Sequence, residues 1–258
     1  MTAVQMPERM SPSSVSTWLQ CPLKYKYSRI DKLPEEQTEA QAVGNMTHEV
    51  LEALFGIEPG GRTINAARAL MVQQWHDKWQ QHAENVLYLG PYAQHMMRWN
   101  AWTCVENYFK LEDPNEIEPD GVENEVFGLI EGVPILGFID RWIMGEDGAT
   151  ISDYKTGKVS KPPYDRDKRL QLMIYTELVE TTMGIKVSNA ELIYLKGKGT
   201  RVAYEPTIEA RTEMKETVSK AWEELKTSCE TNDFKTNKTK LCDWCAFKKD
   251  CPAWSKKR

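Results

Sequence analysis

The cysteines constrain this chain more than any other residues, because four of them can meet only if its two ends meet. Cys242, Cys245 and Cys251 form a C-x2-C-x5-C cluster near the end of the 258-residue sequence. Cys21 lies near the start, and proline follows it as proline follows Cys251. A tetrahedral metal ion or a cubane cluster takes four ligands. The sequence therefore predicts one shared site for these four cysteines.

Two other interpretations of the cysteines remain open. One is that the four are scattered buried thiols, as free cysteine often is. The remaining cysteines, Cys104 and Cys229, have no neighbouring cysteine ligands. A disulfide framework is disfavoured because the chain is long, shows no signal peptide and uses few cysteines for its length.

Composition indicates an ordinary globular protein, with 41% hydrophobic and 28% charged residues. We expect a single domain over residues 1–258, because this length can bury one sizeable core. No apolar run is long enough to span a membrane. Without a targeting segment, the expected compartment is the cytoplasm, where thiols stay reduced. The sequence leaves the oligomeric state open.

Apolar spacing predicts that the first half of the chain is helical. A short helix is expected to start at Ser11-Pro12, to pass through Trp18 and to end near Pro22. A helical subregion is expected at about residues 57–118. Its four tryptophans are expected in the core, or one of them as a base-stacking surface. These are Trp75, Trp79, Trp99 and Trp102. The longer helices of the chain are predicted at residues 40–56, 63–84, 91–111, 165–183 and 207–230.

Alternating apolar residues predict five strands in the second half. They lie at residues 123–130, 134–143, 150–155, 189–196 and 201–206, and the last two form a hairpin. The order of elements indicates an α/β fold, in which a central mixed sheet is flanked by helices. Additional helices lie on its N-terminal side, and the cysteine cluster lies at its C-terminus.

Acidic residues on two neighbouring strands form a second candidate site. Asp140 interrupts an apolar strand, where a charge is costly to bury unless it is paired or bound to metal. Asp153 and Lys155 are two residues apart and therefore point to one side of the next strand. Oxygen-rich sites of this kind hold Mg²⁺ or Mn²⁺. The alternative is a structural ion pair, either between Asp140 and Arg141 or between Asp153 and Lys155.

Six motifs together resemble the RecB-like branch of the PD-(D/E)XK nucleases, and in particular its iron–sulfur exonucleases, which include CRISPR-associated and phage-encoded members. The motifs follow the order of that family over almost the whole chain. They are the segment from Ser11 through Cys21-Pro22, Gly44 to His48, Gly137 to Arg141, Asp153 to Lys158, Gln171 to Tyr175, and the C-terminal cysteines. The resemblance implies a restriction-endonuclease-like fold.

The resemblance also implies a role for each residue of the active site. His48, Asp140, Asp153 and the backbone carbonyl of Tyr154 would hold the metal ion. Lys155 would be the catalytic lysine. An acidic residue of the first strand also belongs to the family pattern, and both Glu123 and Glu125 qualify. Without the resemblance, His48 is simply a polar residue at the edge of an amphipathic helix.

The remaining implied roles concern cofactors and DNA. The four cysteines Cys21, Cys242, Cys245 and Cys251 would hold a [4Fe–4S] cluster. Zinc is the competitor, although structural zinc sites usually combine two close C-x2-C pairs and this chain has one. At the acidic site, histidine ligation favours Mn²⁺ over Mg²⁺. Gln171 and Tyr175, one helical turn apart, would line the site and contact DNA.

Charge distribution adds a candidate path for the substrate. The net charge of −5 does not indicate a nucleic-acid-binding protein. Basic residues nevertheless cluster over residues 155–169, and Lys161 and Arg166 are the two expected to contact DNA. A solvated surface would give the same pattern.

The predicted function is metal-dependent DNA exonuclease activity on single-stranded DNA or DNA ends. The expected setting is recombination, repair or DNA processing beside a helicase or recombinase. The alternative function is a non-catalytic DNA-binding or assembly module that retains the fold and the cluster.

Overall fold

A computed structural model describes residues 4–162 and 165–254. Its centre is a five-stranded sheet with the spatial order β1-β2-β3-β4-β5. Strands β3 and β4 run parallel, and the other neighbours are antiparallel. The mixed sheet and the predicted hairpin are therefore confirmed. The strands are β1 Gly121–Ile130, β2 Val133–Met144, β3 Ala149–Lys155, β4 Val187–Tyr194 and β5 Thr200–Tyr204.

Helices cover both sides of the sheet. They are α1 Pro12–Gln20, α2 Pro22–Tyr25, α3 Glu39–Phe55, α4 Ile64–Gln74, α5 Gln80–Asn85, α6 Pro91–Leu111, α7 Arg166–Met183 and α8 Ile208–Thr231. One apolar core joins the sheet to α1, α7 and α8. A second core joins α3, α4 and α6 to the side of the sheet that carries Tyr154 and Ile193. Among the described residues, no helix is both long and apolar enough to cross a membrane.

The first helix ends as predicted: α1 stops at Gln20, Cys21 has an extended backbone, and a separate helix, α2, begins at Pro22. Two other expectations about the helices need correction. The predicted helix over 63–84 is interrupted by a π-helical segment, Trp75–Trp79. Trp75 and Trp79 are buried as expected, but Trp99 is 54% exposed and is not a core residue.

The regular strand pattern breaks at Asp140. Ile139 and Trp142 both lie in the core beside α7 and α8, whereas strict alternation would send them to opposite sides. On the neighbouring strand, Val122 pairs with Arg141 and Asn124 pairs with Ile139, so Glu123 lies opposite Asp140. Glu123 has a left-handed backbone, with φ of 45°. In both strands, therefore, the alternation of side chains between the two sides of the sheet is interrupted at the same position.

A fork between two strands opens beside this break. β2 and β3 pair only from Arg141 to Met144, and the pair Arg141–Ser152 is the last. In the first half of β2, the strand edge that faces away from β1 instead forms a single parallel β-bridge, between Ile135 and Met10. The fork leaves the ends of two strands close together without a continuous ladder between them.

Candidate active site

The two predicted aspartates lie buried at the fork. Asp140 is 8% exposed and Asp153 is 2% exposed. The backbone N–H of Tyr154 donates to Asp140 Oδ2 at 2.6 Å, which links the two strands where their ladder ends. Burial raises the pKa of Asp153 to about 6; nearby Lys155 opposes this rise and Asp140 adds to it. The fork therefore concentrates negative charge in a place with little water to screen it.

Helix α3 brings His48 to the fork. The helix begins after Thr38, whose side chain and that of Gln41 form a capping box. His48 Nε2 lies 3.0 Å from the Tyr154 carbonyl oxygen, and Nδ1 lies 3.5 Å from Asp140 Oδ1. Burial alone would lower the pKa of His48, but Asp140 and Glu123 outweigh it and raise the pKa well above its usual value.

Glu123 completes the cluster, whereas Glu125 does not. His48 Nδ1 lies 3.7 Å from Glu123 Oε1. Glu125, two residues further along β1, is exposed and lies opposite Phe138. Glu123 has a left-handed backbone, and such strained conformations in residues other than glycine concentrate at functional sites.

The cluster has the size and chemistry of a divalent-metal site. His48, Glu123 and Asp140 each offer one ligand atom, and these three atoms lie within 4.8 Å of one another. No other set of three or more His, Cys, Asp or Glu side chains in the described part of the chain lies so close together. Asp153 Oδ2 lies 2.6 Å from Lys155 Nζ but accepts no hydrogen bond of regular geometry, so this buried oxygen retains capacity for a further cation. Carboxylate and carbonyl oxygens are donors that divalent cations prefer.

Lys155 is held from two sides. Besides Asp153, it contacts Gln171, to whose Oε1 it donates at 3.1 Å. Gln171 Nε2 in turn donates to the Tyr175 hydroxyl at 3.1 Å. Tyr175 approaches β2 so closely that a Cβ on Gly137 would lie 2.6 Å from its ring, so only glycine fits there. Burial would lower the pKa of Lys155, but Asp153 outweighs it and raises the pKa.

A groove gives access to the cluster. Its volume is about 590 Å³, and it is lined by the exposed side of α3, by Glu123 and by the segment that follows β3. Lys161 lies exposed in the loop after this segment. Arg166 pairs with Glu213 of α8 at 3.6 Å and lines a different cavity, between α7 and α8. The structure therefore does not bring Arg166 to the acidic cluster.

The two ends of the chain do meet at the cysteines. Cys21, Cys242, Cys245 and Cys251 line one cavity, and all four are free and half-buried. Cys104 and Cys229 are free thiols, and each is buried inside an apolar core.

A buried ionic network was missed by the sequence analysis. Arg141 is 1% exposed and binds Glu112, just after α6, with Nη1 and Nη2 at 2.6 and 2.9 Å from its two oxygens. Arg201 of β5 also pairs with Glu112, and Glu191 of β4 lies 3.8 Å from Arg141. The suggested ion pair between Arg141 and Asp140 is therefore wrong, whereas the pair between Asp153 and Lys155 is present. Glu112 belongs to no motif, so no sequence signal pointed to it.

The family of the chain follows from comparison with known proteins. Residues 9–252 match the model of the PD-(D/E)XK nuclease superfamily. The chain belongs to this superfamily. Asp153 and Lys155 have the (D/E)-x-K spacing that the name of the superfamily describes, and both lie at the fork. Nucleases of the PD-(D/E)XK superfamily use divalent metal ions, and this agrees with the acidic cluster.

The chain is also similar to individual proteins, one in sequence and one in fold. The gene 69 protein of Mycobacterium phage D29 is 26% identical, over 77% of this chain and 78% of its own length. A crystal structure of a candidate exonuclease from Eubacterium rectale superposes with a TM-score of 0.59 at 16% identity. That match covers 92% of this chain and 87% of the other, and it confirms the restriction-endonuclease-like fold.

Proposed function

We propose that the protein is a metal-dependent DNA exonuclease of the RecB-like type that acts on single-stranded DNA or DNA ends. The observation that carries this proposal is the fork, where His48, Glu123 and Asp140 converge beside the Asp153–Lys155 pair. The likeness in fold to a candidate exonuclease supports the same activity. We further propose that residues 1–258 act as one nuclease domain.

The metal ligands proposed are His48, Glu123, Asp140, Asp153 and the Tyr154 carbonyl. A bound divalent ion would hold the scissile phosphate, lower the pKa of the attacking water and stabilise the departing oxygen. The histidine favours Mn²⁺ over Mg²⁺. The imidazole of His48 must be neutral to bind a metal ion, but the surrounding carboxylates favour its protonated form. A bound cation would offset the charge of those carboxylates and so favour the neutral imidazole.

Lys155 is proposed to act on the phosphate itself. Negative charge develops on the phosphate oxygens as water attacks and the P–O bond to the leaving sugar oxygen breaks. An ammonium fixed by Asp153 and Gln171 is already oriented when that charge appears, so little reorganisation is needed. Gln171 and Tyr175 are proposed to position Lys155 and to contact the DNA strand.

The four cysteines are proposed to hold a [4Fe–4S] cluster that fastens the two ends of the chain. Structural zinc sites usually combine two close C-x2-C pairs, whereas this chain has one such pair and two remote cysteines, which favours a multi-iron cluster over zinc.

The proposed setting is recombination, repair or DNA processing, in which a helicase or recombinase supplies the single strands. Lys161 is proposed to contact the phosphate backbone, because it is exposed in the loop that follows the groove. Such contacts carry no base information and weaken as salt increases, so sequence-independent cleavage is expected.

Nuclease assays with Mn²⁺ separate this function from a non-catalytic DNA-binding module. Wild-type protein should degrade single-stranded DNA, and Asp153→Asn should abolish degradation. Lys155→Ala should lower kcat about 100-fold or more while metal affinity is retained. Asp147→Asn and Lys226→Ala, at exposed positions, are the matched controls. Cleavage by Asp153→Asn at the wild-type rate would refute the proposed active site.

A further inference from the structure

Beyond the acidic cluster, β1 and β2 continue as an exposed apolar surface. We define this apolar ribbon as Phe127, Leu129, Pro134, Leu136 and Phe138. Phe127 pairs with Leu136 and Leu129 pairs with Pro134, and residues directly opposite each other in an antiparallel pair share a face. Phe138 lies two residues before Asp140, which is about 7 Å along a strand. The ribbon therefore begins one side-chain position from the proposed metal ligands.

The ribbon is unusual because its residues are apolar yet exposed or half-buried, on the α3 side of the sheet but outside the core that α3, α4 and α6 form there. Val126, Ile130 and Ile135 alternate with the ribbon and are buried against α7 and α8. A strand with one solvated face normally alternates apolar and polar residues. Here the outward residues Phe127, Leu129 and Phe138 are 53%, 60% and 48% exposed. Contiguous exposed apolar surface of this kind marks a binding site.

The side on which the ribbon lies connects it to the access groove. The ribbon lies on the side of the sheet opposite α7 and α8. Helix α3 and the groove lie on this same side. A charged neighbour of the ribbon is Glu125, opposite Phe138. An apolar surface bordered by a carboxylate repels phosphates but suits the flat faces of nucleobases, since aromatic side chains stack on bases of any sequence.

We propose that the apolar ribbon is a stacking platform for the unpaired bases of a DNA strand whose phosphodiester lies at the acidic cluster. The proposal rests on the proposed nuclease function and specifies its substrate. In duplex DNA, the faces of the bases are covered by their neighbours, so a duplex presents phosphates rather than ring faces to this surface. The ribbon consequently selects single strands and frayed ends over intact duplex.

The test compares DNA binding by ribbon variants in EDTA, where metal-dependent cleavage is blocked. The variant is Phe127→Thr with Leu129→Thr, because threonine keeps a high strand propensity at both positions. The control is Ile208→Thr, which removes an 81% exposed apolar side chain at the start of α8. Fluorescence anisotropy measures the Kd of a labelled oligothymidylate and of a 20-base-pair duplex. We expect the double variant to bind the single strand about tenfold more weakly, which corresponds to one stacked base at about 1.4 kcal/mol. Duplex affinity should not change.

The outcomes separate the ribbon from the nuclease proposal. Single-strand affinity equal to that of Ile208→Thr would overturn the stacking platform, even if wild-type protein cleaves DNA. If the double variant binds single strands more weakly but the wild-type protein cleaves no DNA, the stacking platform stands and the nuclease proposal is refuted. β1 is an edge strand, so a second copy is the competing occupant. A change from dimer to monomer in sedimentation with unaltered DNA affinity would also overturn the proposal. Phe127→Thr alone, with unfolding monitored by heat, serves if the double variant does not fold.

Discussion

At the scale of single residues, position along one strand separates two glutamates. Glu123 and Glu125 are two apart on β1, so regular alternation puts both side chains on the same side of the sheet. Only Glu123, at the break in the strand pattern, lies beside His48, whereas Glu125 lies opposite Phe138 and is exposed. The two acids therefore form a natural pair of test and control positions.

We predict that Glu123→Gln weakens Mn²⁺ binding about tenfold or more and that Glu125→Gln leaves it unchanged. The amide keeps the shape of the side chain but removes the negative charge that a divalent cation requires. Isothermal calorimetry of Mn²⁺ binding measures the effect without relying on turnover. Equal affinities in the two variants would contradict the proposed role of Glu123.

At the scale of elements, the Arg141–Glu112 network ties the helical layer to the sheet directly beside the active site. Arg141 follows Asp140 in β2. Its guanidinium also donates hydrogen bonds to the hydroxyls of Ser152 in β3 and Tyr108 in α6. Fixing the end of α6 to β2 and β3 restrains the strand pair whose separation creates the fork.

We predict that Arg141→Met lowers the free energy of unfolding by about 3–5 kcal/mol, because it leaves Glu112 and Glu191 buried with less compensating charge. Urea denaturation measures this change. Arg166→Met is the control and should change stability by less than about 0.5 kcal/mol, since Arg166 is 71% exposed on its side chain. An Arg141 variant as stable as this control would show that the network contributes nothing.

The same elements show what sequence reasoning can reach. The strands, the long helices and the convergence of Asp140, Asp153 and Lys155 follow from alternation and helical spacing alone. The break in alternation at Asp140 could not be predicted, because it depends on how two strands twist against different helices. Trp99 was misplaced for a related reason: helical spacing shows that residues share a face without showing which helix covers that face.

At the scale of the whole molecule, the N-terminal helices and the C-terminal tail enclose one cysteine-lined cavity. Lys235 and Asn237 of the tail bond to the backbone of Leu23 and Gln20, and Tyr27 donates to the Asp250 carbonyl oxygen. Apolar contacts join the same segments, since the ring of Phe234 packs on Trp18 and that of Phe247 packs on Tyr27. A cluster bound by Cys21 and the three C-terminal cysteines would close a loop of nearly the whole chain.

We predict that Cys21→Ala lowers the iron content and the melting temperature, whereas Cys229→Ala retains full iron. Closing so long a loop restrains the unfolded chain by about 5 kcal/mol on a loop-entropy estimate, and this restraint is lost with one ligand. Cys229 is the control because it is a buried thiol of the core between the sheet and α8, outside the cavity. Anaerobically purified variants would be compared by iron analysis, visible absorbance and thermal unfolding. Full iron in Cys21→Ala would show that the C-terminal tail alone holds the cluster. The two ends of the chain would then be joined by packing and hydrogen bonds only.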